Sequence, residues 1–144
     1  MKLIFYNNPI VKRFLFPGYS TIMLFGIILT KKRKEECSPV LIRHEQIHQR
    51  QYFECFLLPV LPAILLNWWV LALCPLSFYI LYLAEWFISF VWHFFAQGMK
   101  DASRANHRAY TASAMEMEAK AKEGETGYIK RRKLFAFVGY YGRV

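Results

Sequence analysis

The stretch of chain from residue 55 to residue 97 contains no lysine or arginine, although the protein has nineteen of them in 144 residues. Nine of these cations precede the stretch and ten follow it. Within it, Glu85 is the one acidic side chain and His93 the one histidine. Hydrophobic residues make up 56% of the whole chain, which exceeds the share in soluble domains. This distribution excludes a disordered chain, a disulfide scaffold and an ordinary soluble domain, and it favours lipid as the surroundings of the block.

Two apolar runs fill this block, Cys55–Cys74 and Leu76–Phe95, and each has twenty residues. A helix of that length spans a hydrocarbon core of about 30 Å. Because the link around Pro75 is short, the runs predict an antiparallel transmembrane hairpin. The basic residues flank the hairpin and its tip is uncharged, so both termini are expected in the cytoplasm. We therefore expect a multi-pass protein of the cell inner membrane.

The net charge of +9 is divided evenly between the two flanks of the apolar block. That division suits an anionic membrane face better than a nucleic acid. The tail also fits a lipid surface, because the basic cluster 130–133 is followed by the apolar aromatic run 134–137. The expected partners are the lipid bilayer and a protein or peptide substrate, with no nucleic acid.

An HExxH motif, formed by His44, Glu45 and His48, stands directly before the apolar block. Ser38 as an N-cap and Pro39 in the first turn predict that a helix begins here. Residues four apart lie on one face of a helix, so both imidazoles can bind one metal ion, for which zinc is expected. Glu45 would be the general base that takes a proton from water and returns it to the leaving amine. The alternative is a solvated polar helix end beside the membrane.

Two histidines and a water leave one position for a further protein ligand. Residues 103–123 are rich in Ala, Glu, Met and Lys, lack Gly and Pro, and end before Gly124, which predicts a helix. This helix carries Glu116, Glu118 and His107. Alone, its glutamates would indicate a solvated surface helix, but an HExxH helix lacks only such a carboxylate.

HExxH followed by a glutamate on a later helix resembles the gluzincin metallopeptidases. Their membrane members, similar to the CAAX prenyl protease and the heat-shock quality-control membrane protease, carry the third ligand in an E-x-x-A-D type motif. This chain has Glu116-Met117-Glu118-Ala119-Lys120. The resemblance implies that Glu116 is the ligand and that Glu118 supports the site or lies at the surface. Lys120 replaces an aspartate that normally orients a ligand histidine.

The resemblance covers most of the chain and implies a mainly α-helical membrane protein. In it, a transmembrane helical hairpin is inserted between the two zinc-ligand helices of a minimal zincin. A short N-terminal β-hairpin is expected from Thr21–Leu24 and Ile27–Thr30, with a third membrane span beginning near Phe14 as the alternative. The single metallopeptidase domain would comprise an N-terminal β region (1–37), the HExxH helix (38–54), the hairpin (55–97), the third-ligand helix (98–127) and a basic aromatic tail (128–144).

The predicted function is that of a zinc metalloendopeptidase acting on a membrane-proximal protein or peptide. The donor to the oxyanion is left open among Tyr128, Tyr110 and His107. Glu85 is expected to pin the hairpin by a hydrogen bond to a group such as Asn67, or to belong to a polar path. The alternative function is a catalytically inactive zinc-binding membrane module, or a sensor or adaptor.

Overall fold

The computed structural model describes residues 3–15, 19–96 and 100–142. This part of the chain is mainly helical with one small sheet, as the sequence predicts. The strands are β1 (Ile4–Phe5), β2 (Thr21–Leu24) and β3 (Ile27–Thr30). The α-helices are α1 (Pro9–Phe14), α2 (Pro39–Phe56), α3 (Val60–Leu65), α4 (Ser77–Ala96), α5 (Ala102–Ala112), α6 (Ala114–Lys122) and α7 (Tyr128–Arg131). Short 3-10 segments occupy Lys34–Glu36, Trp68–Leu73 and Ala136–Tyr140.

The sheet has the order β1-β3-β2, with β2 antiparallel and β1 parallel to β3. The predicted hairpin over β2 and β3 is confirmed. It turns at Phe25 and Gly26, which both have positive φ, the backbone form that tight hairpins require. A Cβ on Gly26 would lie only 3.0 Å from Cζ of Phe53, and the Gly26 carbonyl accepts a 2.5 Å hydrogen bond from Gln49 Nε2. Glycine is therefore needed where this hairpin meets α2.

The chain divides into two compact units, and the divisions fall inside α2 and α6. The first unit, Met1–Phe53 with Ala119–Arg132, contains the sheet and most of α2. Its core includes Ile47, Ala119 and Tyr128, so α2 packs directly against the end of α6. This contact brings the HExxH helix beside the helix predicted to carry the third ligand.

The second unit, Glu54–Glu118 with Lys133–Val144, is built on α4 and α5. Trp86 Nε1 donates a 2.9 Å hydrogen bond to Asn106 Oδ1, which ties the two helices together. The predicted continuous helix over 103–123 is wrong, because the chain breaks at Ser113 between α5 and α6. Ser113 has the extended ψ of 131° that ends α5. Its hydroxyl donates to the carboxylate of Glu85 at 2.8 Å, and this bond holds the break.

Glu85 fixes the start of α6 from within α4. Besides Ser113, it accepts hydrogen bonds from the backbone N–H of Ala114 at 3.0 Å and from the hydroxyl of Tyr141. Burial and the bond to Glu85 raise the pKa of Tyr141, so this hydroxyl stays protonated and donates. Glu85 therefore pairs with Ser113, Ala114 and Tyr141 and not with Asn67, the group suggested by the sequence, whose side-chain oxygen accepts from Trp69 N–H. A carboxylate at a helix N-terminus stabilises the helix, because it accepts hydrogen bonds from the unpaired N–H groups of the first turn and interacts favourably with the helix dipole.

The run Cys55–Cys74 does not form the single transmembrane helix that its hydropathy predicts. Helix α2 ends at Phe56, and α3 has only six residues, about 9 Å of helix. Pro59 and Pro62 lack N–H groups, and the Asn67 side chain caps a new 3-10 segment. Among the described residues, only α4 is long and apolar enough to cross a membrane. The prediction of one helix across Cys55–Cys74 is therefore wrong, and the multi-pass topology that depended on it is not supported.

Candidate metal centre

Helix α2 presents His44 and His48 on one face, as their spacing of four predicts. Their Nε2 atoms lie 3.1 Å apart, and the ring centroids are 4.7 Å apart. His48 is buried and His44 is half-buried. Both rings therefore direct the same nitrogen to one point beside the helix.

A different acceptor holds the other nitrogen of each ring. His44 Nδ1 lies 2.8 Å from Glu123 Oε2, and His48 Nδ1 lies 2.8 Å from Gln51 Oε1. Carboxylate and amide oxygens only accept hydrogen bonds, so these contacts assign the proton of each neutral imidazole to Nδ1. The lone pairs of the two Nε2 atoms then face each other across 3.1 Å. A cation that both nitrogens bind relieves the repulsion between these lone pairs.

Glu116 of α6 supplies the oxygen that completes the group. One ligand atom each from His44, His48 and Glu116 lies within 4.8 Å of the other two. Glu116 is almost fully buried, at 1% exposure, and lies one helical turn before Ala119, which packs against Ile47 of α2. This group of two imidazoles and one carboxylate could hold a metal ion.

The other residues singled out in the sequence take different places. Glu45 directly follows His44 and is buried, with 8% exposure. Glu118 is fully buried but is not part of the metal-binding group, so a surface position for it is excluded. Tyr128 lies in the core with Ile47, whereas His107 is exposed. Nothing in these positions selects the oxyanion donor.

Sequence reasoning missed Glu123 and Gln51. Glu123 lies two helical turns after Glu116, and therefore on the same face, and three residues after Lys120. It supplies to His44 the kind of carboxylate contact that Lys120 cannot make. Arg43 Nε donates a 2.6 Å hydrogen bond to the Glu123 carbonyl and joins this end of the chain to α2. The seven-residue interval from Glu116 was the signal that could have identified Glu123.

No protein-family model, curated protein or solved structure matches this chain. The gluzincin assignment therefore stays a prediction that rests on His44, Glu45, His48 and Glu116. The structure adds an independent observation, the convergence of two nitrogens and one oxygen from α2 and α6.

Glu123→Gln is expected to weaken zinc binding by about 10–100-fold, because an uncharged amide orients the His44 ring less firmly and leaves its Nε2 less basic. Glu125→Gln is the matched control, since Glu125 is paired with Lys122 and Arg131 instead of a histidine. These two cations lower the pKa of Glu125, so Glu125→Gln removes one negative charge near neutral pH. Competition with a chromogenic zinc chelator measures both affinities. Equal affinities in the two variants would show that Glu123 does not support the metal.

Proposed function

We propose that this protein is a membrane-associated zinc metallopeptidase of the gluzincin type that hydrolyses peptide bonds in a membrane-proximal protein or peptide. The observation that carries this function is the grouping of His44, His48 and Glu116. Three protein ligands with a further position open are typical of catalytic zinc, whereas structural zinc sites use four, often cysteines. None of the three cysteines in this chain belongs to the group.

The donor set fits zinc, and the neighbouring Glu45 favours hydrolysis. Two imidazoles and a carboxylate also bind iron in oxygenases, but such sites do not require a buried acid beside the first histidine. When bound, zinc polarises a carbonyl oxygen and makes water more acidic. Glu45 would accept the proton of the attacking water and deliver it to the leaving amine. Glu123 and Gln51 would hold the imidazoles in the tautomers that bind metal.

Chelation is the simplest test of this activity. Treating the purified full chain with 1,10-phenanthroline is expected to abolish cleavage of a casein or quenched-peptide substrate, because the zinc ligands alone do not activate water. Stoichiometric zinc should restore the rate and magnesium should not, since magnesium prefers oxygen ligands. Cleavage that continues after the zinc has been removed would contradict a metallopeptidase.

Lipid contact is the second part of the proposal, and exposure of apolar side chains supports it. Only 6% of the apolar window of α4 is buried, whereas the core helix of a soluble protein would be mostly buried. Phe87, Ile88 and Trp92 of α4 are all at least 60% exposed. The α3 segment, taken as α3 with the following Leu66, exposes apolar side chains in the same way. Its Ile64 and Leu66 are more than 75% exposed. Exposed apolar side chains in such number mark a membrane or protein contact, and the basic flanks favour the cytoplasmic face of a membrane.

Membrane attachment has a direct measurement. The full chain is expected to remain in the membrane pellet after alkaline carbonate extraction and to be released by detergent, because carbonate removes proteins held by charge alone. Release by carbonate would contradict insertion of α4 and the α3 segment. It would leave the zinc and hydrolysis tests unaffected.

A further inference from the structure

A pocket lies against α2, on a face of the helix different from the one that carries the histidines. Its cavity has a volume of about 400 Å³ and is bounded by α2 and by the segment around α7. Arg43, Gln46 and Arg50 recur at intervals of three and four residues, so they share one helix face. His44, His48 and Gln51 share another face, which makes this pocket separate from the metal centre. The polar side chains that line it are those of Arg43, Gln46, Gln49, Arg50, Thr126 and Lys130.

Among the residues that the structure describes, the pocket is lined by three cations and by no acidic side chain. Within residues 3–15, 19–96 and 100–142, neither Arg50 nor Lys130 forms an ion pair. Arg43 is held by its bond to the Glu123 carbonyl, a bond that leaves its charge uncompensated. Glu125, which directly precedes Thr126 in the sequence, is already paired with two other cations. Unneutralised like charges around one cavity repel each other, and a bound anion would remove that repulsion.

The shape and donors of the pocket indicate which anion it fits. Two guanidinium groups and one ammonium match a group with several oxygens and up to two negative charges. Gln46 and Thr126 add neutral donors to the lining, while the Gln49 amide is held by its bond to Gly26. The two oxygens of a carboxylate can accept from fewer of these donors than the four oxygens of a phosphate group. We infer that this basic pocket binds a phosphate group, supplied by an anionic phospholipid headgroup or by a soluble phosphate.

The chain after the pocket favours the lipid source. Lys130 is followed by Arg131, Arg132 and Lys133, and then by Leu134, which is 78% exposed. Basic residues next to an exposed apolar side chain are typical of segments at an anionic bilayer surface. A headgroup phosphate bound here would fix the HExxH helix at that surface. This inference does not depend on the proposed hydrolysis, because none of the pocket residues belongs to the metal-binding group.

The test compares two doubly substituted full chains that each lose two positive charges. Arg50→Gln with Lys130→Gln removes two exposed pocket cations, and Lys100→Gln with Arg104→Gln removes two exposed cations elsewhere. Binding is measured in uncharged detergent with inorganic phosphate, and with vesicles of phosphatidylcholine with or without phosphatidylglycerol. The pocket variant is expected to bind phosphate or phosphatidylglycerol vesicles at least about tenfold more weakly than wild type, and the control within about twofold.

The two arms separate the sources of the phosphate. Loss in the vesicle arm, with no binding of inorganic phosphate by wild type, supports a lipid headgroup, and loss in both arms supports a site open to soluble phosphate. Equal weakening in both doubly substituted chains overturns the pocket, because it indicates only diffuse attraction of charge. Displacement of phosphate by a peptide carboxylate at lower concentration also overturns it, in favour of a peptide site.

A third variant keeps the charge and fills the space. Thr126→Leu places an apolar side chain in the pocket wall and is expected to weaken the same binding by a similar factor. Full phosphate affinity in Thr126→Leu would show that the anion does not enter the cavity. Zinc content is measured for all the variants, and because the proposed zinc ligands lie outside this pocket, it should remain at the wild-type level. A normal zinc content also shows that each variant has folded.

Discussion

Glu45→Gln is expected to reduce peptide hydrolysis by about 10²–10⁴-fold while leaving zinc content unchanged. Glutamine has nearly the shape of glutamate, so it fits the same buried position, but its amide cannot take a proton from water. Glu45 is not among the three residues whose ligand atoms converge, so the metal should remain. Hydrolysis of a quenched peptide and elemental analysis of the same sample measure both quantities.

The matched variant for this experiment is His44→Ala, which should lose both zinc and activity because it removes a proposed ligand. If the protein is a hydrolase, both variants therefore lose hydrolysis, and only Glu45→Gln keeps its zinc. A structural module, sensor or adaptor that only keeps the metal would give a Glu45→Gln protein indistinguishable from wild type in every assay. That result would contradict the proposed peptidase while leaving the metal centre in place.

Glu116→Gln is expected to weaken zinc binding by more than about 100-fold, the upper range for loss of a residue that only supports a ligand. A neutral amide oxygen replaces the anionic oxygen that faces the two histidines. Glu118→Gln is a close control, because Glu118 is equally buried on the same helix and lies outside the group. Zinc affinity is measured by competition with a chelator, and circular dichroism checks that the helices are retained.

The pair of variants also decides whether Glu116 or Glu118 corresponds to the third zinc ligand of the gluzincins. Full zinc affinity in Glu116→Gln together with loss in Glu118→Gln would reverse the ligand assignment. Equal loss in both would indicate a general effect of burying an amide in α6. Only a loss confined to Glu116→Gln agrees with the observed geometry.

Local patterns were sufficient for the features whose partners are close in sequence. The two histidines share a face because four residues make about one helical turn, and this holds wherever the helix lies. The strands around Phe25 and Gly26 were found at their observed limits, because two turn residues between β-branched runs leave one register for a hairpin. The helix that begins at Pro39 follows from the same kind of local signal.

Features that depend on distant partners were predicted wrongly or missed. The break within Cys55–Cys74 is different, because the prolines and the Asn67 cap that divide the run are local and its hydropathy does not register them. The break at Ser113 depends on Glu85, twenty-eight residues earlier, and the partner of His44 is Glu123, seventy-nine residues later. The spacing of residues within one helix carries no information about contacts between residues so far apart in the sequence. They also determine where Glu116 lies, so the third ligand could be identified only through the family resemblance.

Diffraction from crystals of the zinc-loaded full chain, recorded on both sides of the zinc absorption edge, measures the central claim most directly. The expected result is one anomalous peak about 2.0–2.2 Å from His44 Nε2, His48 Nε2 and a carboxylate oxygen of Glu116. A peak bound by other residues, or one that both histidines bind without Glu116, would contradict the metal centre described above.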